Sequence, residues 1–390
     1  MFNLKRHFQL DPSVVFLNHG SFGATPKPVF REYQRWQREL EKQPVEFLGR
    51  RSDNLLAGSR AALGKYLGTH GDNLVYTQNV TISLNIVARS LELNPNDEVL
   101  TTDHEYGAID RAWRFLSKER GFKYINQHIT TPLTSEEKFV EDFWRGVTPN
   151  TRVICLSHIT SETAIIFPIT EIIRRARENG IITVIDGAHA PGQIPLHLDS
   201  LGADFYGGNL HKWLCAPKGA GFLYARPEMQ RLLKPLVVSW GYESNTPSGS
   251  TFIDHNQWWG TRDLAAFLAV PAAIQFQAEN HWDDVRASCR QLLCDAQNRI
   301  CELTGLAPLH PATLRHGSGH AWFAQMATAP LPADTDIASL KTRLYDEYRI
   351  EVPLIDWNKH KLIRISVQGY NTKRDLDKLC RALSRLLNKN

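Results

Sequence analysis

The chain lacks several features that would narrow its class at once. No run of about 18 apolar residues occurs, so no membrane-spanning helix is expected. Residues 1–10 carry Lys5 and Arg6 but no apolar stretch behind them, so a secretory signal is not expected either. Among six cysteines (155, 215, 289, 294, 301 and 380) there is no C-x-x-C pair, which argues against a disulfide framework or a zinc site. The thiols fit a reducing compartment, and a cytoplasmic location is the expectation. A formal charge of +4 over 390 residues, with no basic tract, gives nucleic acid no electrostatic footprint. Internal repeats and low-complexity segments are also missing. What remains is a soluble chain of ordinary composition, long enough for one large domain and a smaller one.

The most informative stretch runs from Asp186 to Trp213. Residues 181–185 (Ile-Ile-Thr-Val-Ile) are apolar and β-branched, the pattern of a buried parallel strand. Asp186-Gly187-Ala188-His189-Ala190-Pro191-Gly192 follows directly, placing a carboxylate where such a strand ends. Open α/β sheets bind their ligands at that edge. The next strand-like run, residues 203–206, leads into Asn209-Leu210-His211-Lys212-Trp213. Taken singly, an Asp here caps a loop and a Lys sits in solvent. A carboxylate and a lysine at neighbouring strand ends suit a pyridoxal phosphate site, with the lysine forming the Schiff base and the carboxylate keeping the pyridine nitrogen protonated.

Other segments fit the same edge. Residues 14–17 are apolar and end in Asn18-His19-Gly20-Ser21-Phe22-Gly23, either a ligand-facing loop or a simple turn. Residues 28–67 read as largely helical. A strand at 74–77 precedes Gln78-Asn79-Val80-Thr81 and a helix to about 88; polar residues at a helix start cap it, and they also leave N–H groups for a phosphate. His104 or Tyr106, after a strand near 97–101, could stack on a flat ring. Further strands are expected near 123–125, 153–157, 222–225, 322–326 and 361–367. Helices are expected over 109–120, 170–179, 265–279, 284–302 and 372–388. This alternation predicts an α/β chain with a mostly parallel, doubly wound sheet in residues 1–270 and a smaller α+β domain in residues 271–390, the N-terminal segment packing on the small domain. Arg364, flanked by apolar residues, needs an anionic partner: a protein carboxylate or a substrate carboxylate held bidentate.

These segments, with Asp103-His104-Glu105-Tyr106-Gly107-Ala108 and Gly260-Thr261-Arg262-Asp263, resemble the fold type I pyridoxal phosphate enzymes of the class V aminotransferase group, in the isopenicillin N epimerase-like branch. The resemblance covers nearly the whole chain, residues 14–376. It implies pyridoxal 5'-phosphate as cofactor, with Lys212 as the Schiff-base lysine and Asp186 as partner of the pyridine N–H. It implies His189 as a donor to the phenolic oxygen and His104 as the group stacked on the ring. Asn79, Val80 and Thr81 would seat the phosphate on one side, Asn209 and His211 on the other. Thr261 would reach the phosphate of a partner subunit's cofactor, so a homodimer with interfacial sites is implied. Arg364 would bind the carboxylate of an amino-acid substrate, with Asn18 and His19 beside it. No metal, nucleic acid or membrane enters this picture.

One departure narrows the chemistry. Desulfurases of this group need a nucleophilic cysteine on a small-domain loop, and residues 349–361 contain none. The expected activity is therefore C–S lyase (β-elimination) or epimerase action at Cα of a modified, sulfur-containing amino acid, leaning to the lyase. Transamination is a further alternative, and a binding protein without turnover the least expected. Candidates for a second acid are His19, Tyr106 and Tyr242.

Overall fold

A computed structural model describes residues 4–311 and 321–387. Among the described residues twelve strands follow in chain order: β1 (Val15–Phe16), β2 (Leu74–Thr77), β3 (Glu98–Thr102), β4 (Lys123–Gln127), β5 (Thr151–Ser157), β6 (Ile182–Gly187), β7 (Phe205–Asn209), β8 (Gly221–Ala225), β9 (Met326–Leu331), β10 (Ile350–Glu351), β11 (Leu354–Trp357) and β12 (His360–Ser366). Seven of them form one sheet in the order β2-β8-β7-β6-β5-β3-β4. Within it, β8 runs against its neighbours β2 and β7, and the remaining pairings are parallel. The β6 and β7 residues are almost all buried, as strands covered on both faces must be. The expected α/β architecture is the observed one.

The parallel register aligns the functional strand ends. Ser157 of β5 pairs with Asp186 of β6, which pairs in turn with Gly207 of β7. Glycine at 207 is required by its neighbours: a Cβ there would lie 2.7 Å from Val80 Cγ2, so the helix Val80–Ser90 could not approach the sheet as closely.

The C-terminal part builds a three-stranded antiparallel sheet, β11-β12-β9, against the helix Trp282–Thr304, on which the helix Lys373–Leu387 packs in turn. Its first strand begins at Met326, where the sequence pattern predicts one over 322–326. The apolar run 322–324 instead packs as coil into the core, with Trp322 and Phe323 buried. Residues 28–67 are largely helical, as expected, in several segments. A helix Lys27–Lys42 and a helix Ser52–Leu67 flank a short turn at Pro44–Glu46 and a π-helical segment Phe47–Arg51, consistent with a proline that cannot continue a helix.

The N-terminal segment belongs with the C-terminal sheet in space. Val15 and Phe16 pair in parallel with Ile350 and Glu351, and Ser366 N–H donates to the Leu17 carbonyl at 3.0 Å. The segment then turns at Gly23, whose φ of 69° and ψ of 174° are essentially confined to glycine. A Cβ at Gly23 would stand 1.9 Å from the His211 carbonyl oxygen. Gly23→Ala should therefore lower stability by at least about 1–3 kcal/mol; a chemical-denaturation midpoint equal to that of the parent would contradict this packing.

Candidate active site

A cavity of about 330 Å³ opens at the ends of β5, β6 and β7. Its wall includes Asn79, Val80, Thr81, Asp186, His189, Asn209, His211 and Lys212, together with Ser21, Phe22, Gln78, Tyr106, Ser157, Ile159 and Ser161.

Lys212 is held by its surroundings in a reactive state. Burial, reinforced by the charge of Arg364, lowers its pKa from 10.5 to about 7, while Asp186 acts in the opposite direction. The Lys212 Nζ lies 3.1 Å from His189 Nε2. On the far side of that ring, the Trp213 indole N–H approaches His189 Nδ1 at 3.3 Å. An indole can only donate, so Nδ1 is the acceptor and Nε2 carries the proton. His189 is thus a neutral N–H donor facing the lysine, and burial keeps its pKa well below the ordinary value.

Asp186 is fully buried at the cavity floor. Its Oδ1 accepts the Ala188 N–H at 2.9 Å, whereas Oδ2 has no protein partner. A buried carboxylate oxygen without a partner is costly, and burial here raises the carboxyl pKa. A cationic N–H at Oδ2 would restore the carboxylate. A protonated pyridine supplies such a group.

At the other end, Asn79 caps the helix Val80–Ser90 through its Oδ1 and the Ile82 N–H, 3.1 Å apart. Asn209 Oδ1 accepts the Val80 N–H at 2.9 Å. The Val80 amide is therefore bonded to Asn209, while Val80 itself stays on the cavity wall. Among the early amides of this helix, Thr81 is the one left for a ligand. His211 donates from Nδ1 to the Ala220 carbonyl at 3.0 Å, because a carbonyl only accepts. The neutral ring can then only accept at Nε2. Burial holds its pKa near 4, and a phosphate dianion beside it would favour the charged, donating form. The donor set, the helix N-terminus and the unpartnered Asp186 oxygen together fit pyridoxal phosphate.

Several expected residues lie elsewhere. His104 is completely buried outside the cavity wall, its Nδ1 2.9 Å from Thr163 Oγ1 and its ring 4.3 Å from that of Trp357. Trp357 fixes this arrangement by donating to the Asp103 carbonyl at 3.1 Å. Tyr106, two residues on, is on the wall. Neither Asn18 nor His19 lines the cavity. Asn18 reaches it through Ser21, whose hydroxyl bonds Asn18 Oδ1 at 2.5 Å. His19 turns away to the main chain of Lys212 and to Tyr370. Tyr242 is about half exposed against His255, and Thr261 is exposed; neither is on the wall.

Arg364 is buried at the edge of the cavity and reaches two of its wall residues. Nη2 donates to Ser21 Oγ at 3.1 Å, Nη1 donates to the Ser161 carbonyl, and Nε has no partner. The wall residues Ser157 and Ser161 are not legible as functional in the sequence, since isolated polar residues at strand ends look like ordinary loops. Ser157 is anchored from behind by Glu105, which accepts from both its N–H and its hydroxyl, at 2.9 and 2.6 Å.

Fold and cavity together define a chain that sets a lysine amine, a buried carboxylate and a helix N-terminus around one flat, anionic ligand. It belongs to the aminotransferase class-V family, whose model matches residues 16–379. It is 37% identical over 397 residues to the isopenicillin N epimerase of Amycolatopsis lactamdurans, covering 98% of each chain. It is 25% identical over 422 residues to an L-cysteine desulfhydrase of Arabidopsis thaliana, covering 96% of this chain and 88% of that one. The fold matches the crystal structure of the cysteine desulfurase CsdA from Escherichia coli with a TM-score of 0.80 at 21% identity, covering 99% of both chains.

The depressed pKa of Lys212 makes a direct expectation. The rate at which the cofactor-free protein couples to pyridoxal phosphate should rise through a midpoint near pH 7, as the amine loses its proton. Because Asp186 favours the protonated amine, Asp186→Asn should move that midpoint to lower pH. A midpoint that stays put or rises would contradict the electrostatics described.

Proposed function

We propose that this chain is a pyridoxal phosphate-dependent enzyme that removes the Cα proton of a modified α-amino acid, with loss of a sulfur substituent from Cβ as the following step. The observation that carries the reading is the buried Lys212 amine beside His189, with the unpartnered oxygen of Asp186 at the same cavity floor. Pyridoxal phosphate, when bound, supplies the electron sink for the Cα carbanion. The chain's own groups do the rest. Lys212 would hold the cofactor through its amine, and with that amine free it is the base within reach of the Cα proton. His189 Nε2–H offers a hydrogen bond beside the amine. Asp186 holds a cationic ring nitrogen. Arg364 receives the substrate carboxylate, which then takes the place of the Ser21 and Ser161 partners.

Elimination needs one base: Lys212 takes the Cα proton, and the Cβ–S bond breaks with its electron pair on sulfur. The sulfur takes a proton back from the Lys212 ammonium and leaves as a thiol, and water hydrolyses the unsaturated amine that remains to a keto acid and ammonia. No second acid on the opposite face is required. No cysteine lines the cavity among the described residues, so the wall offers no thiol to accept sulfur as a persulfide. Epimerisation is the second reading. It is favoured by the 37% identity to an isopenicillin N epimerase over nearly the full chain, and by Tyr106, a hydroxyl on the wall that could return a proton.

The same reading includes a homodimer in a reducing cytoplasm. Thr261 is exposed, and large apolar side chains at Phe22 (74%) and Trp240 (83%) face solvent in the single chain. Six unpaired cysteines fit the compartment. Sedimentation at micromolar concentration should give twice the chain mass; a monomer would remove the interfacial role of Thr261.

Turnover of an amino-acid panel in heavy water separates the chemistries. Release of a keto acid and a thiol identifies elimination, and Cα deuteration with inversion of an otherwise intact substrate identifies epimerisation. Absence of any solvent-derived deuterium with every substrate that is consumed would contradict Cα deprotonation. Arg364→Lys loses the two-pronged contact and should raise KM for the amino acid roughly 10-fold or more, with kcat less affected. An unchanged KM would make Arg364 purely structural.

A further inference from the structure

Outside the cavity wall lies a buried cluster that the chemistry above does not use. His19 is fully buried, with Nε2 3.0 Å from the Lys212 carbonyl oxygen and Nδ1 3.0 Å from the Tyr370 hydroxyl. The carbonyl can only accept, so Nε2 carries the proton and Nδ1 receives the Tyr370 O–H. Burial keeps Tyr370 protonated and His19 uncharged, near a pKa of 3, so this tautomer persists across the range in which enzymes work. The Gln368 amide nitrogen, 3.3 Å from Nε2, has an alternative acceptor in Cys215 Sγ at 3.8 Å.

The Lys212 carbonyl closes a turn by accepting the Cys215 N–H at 3.1 Å, and Cys215 adopts φ of 63°, a left-handed conformation rare for a residue with a side chain. Such a turn persists only where its surroundings hold it. His19 supplies a second bond to the same carbonyl. It also sits on the segment zipped to β12: Ser366 N–H donates to the Leu17 carbonyl at 3.0 Å, and Gly20 N–H donates to Ser366 Oγ at 3.2 Å. Arg364 lies on β12, two residues before Ser366. One imidazole therefore links the peptide bearing the amine to the strand bearing the guanidinium.

We propose that His19 is a positioning residue: its hydrogen bond to the Lys212 carbonyl, oriented by Tyr370, registers the lysine against Arg364, so that the groups meeting the Cα proton and the carboxylate of one amino acid keep a fixed separation. This rests on the reading of Lys212 as the cofactor lysine. A base displaced by a fraction of an ångström loses proton-transfer rate far more than it loses substrate binding.

The test uses cofactor-loaded protein. His19→Phe keeps ring volume and loses both bonds. It should retain pyridoxal phosphate, lower kcat for Cα hydrogen exchange by roughly 100-fold with KM changed much less, and shift the pH midpoint of the lysine-linked chromophore. His19→Gln, whose amide can donate to the carbonyl and accept from Tyr370, should recover a large part of both losses. Tyr370→Phe should move both readouts in the same direction by less, and it carries the test alone if His19→Phe does not fold. A loaded His19→Phe protein, or in its place a loaded Tyr370→Phe protein, with the parent's kcat and chromophore midpoint would overturn this inference alone. A parent chain that takes up no pyridoxal phosphate would overturn the reading of Lys212 and this inference with it.

Discussion

Everything in this site depends on keeping a lysine amine where a charge is expensive. Lys212 is buried, and desolvation lowers its pKa more than any neighbouring charge does. The surroundings do not cancel that effect by giving Lys212 a carboxylate in hydrogen-bond contact. Instead its Nζ meets a neutral imidazole, whose tautomer is fixed by an indole N–H on the other side. The nearby carboxylate, Asp186, keeps one oxygen free at the cavity floor. The amine is left nucleophilic and the carboxylate is left for a ligand cation. Both are costly without a partner and favourable once a ligand pairs with them, the usual signature of a functional site.

The fold supplies the geometry. Parallel strands β5, β6 and β7 bring Ser157, Asp186 and the Asn209–Lys212 turn to one edge, and the missing side chain at Gly207 lets the helix Val80–Ser90 reach that edge with its N-terminus. The second half of the site comes from elsewhere in the chain. β12 brings Arg364, and the N-terminal segment, paired with β10, brings Ser21 to it. Substrate would be gripped between the sheet edge and β12, which Arg364 ties to Ser21 and Ser161.

Much of this could be read from residues alone because sequence-local rules govern it. Asp186 after a β-branched run, Lys212 after the next strand and a cap at Asn79 follow from strand-end and helix-start chemistry, and the family resemblance agrees with the fold. The features that escaped are set by tertiary packing. His104 and Tyr106 are two residues apart after one strand, and His104 is held off the wall by partners far along the chain, Thr163 and Trp357. Val80's amide looks free until Asn209 is brought to it. His19 reads as a ligand-facing polar residue beside a glycine, yet its partners are a carbonyl at 212 and a hydroxyl at 370. Polar residues near glycines announce close packing. They do not say against what.

The central claim is that Lys212 carries the cofactor. Reducing the protein with borohydride after incubation with pyridoxal phosphate, then mapping peptides by mass spectrometry, tests it most directly. The account predicts a single reduced pyridoxyl group on the Lys212 peptide, at one per chain. A label spread over surface lysines, or a single label on another lysine with Lys212 unmodified, would contradict it.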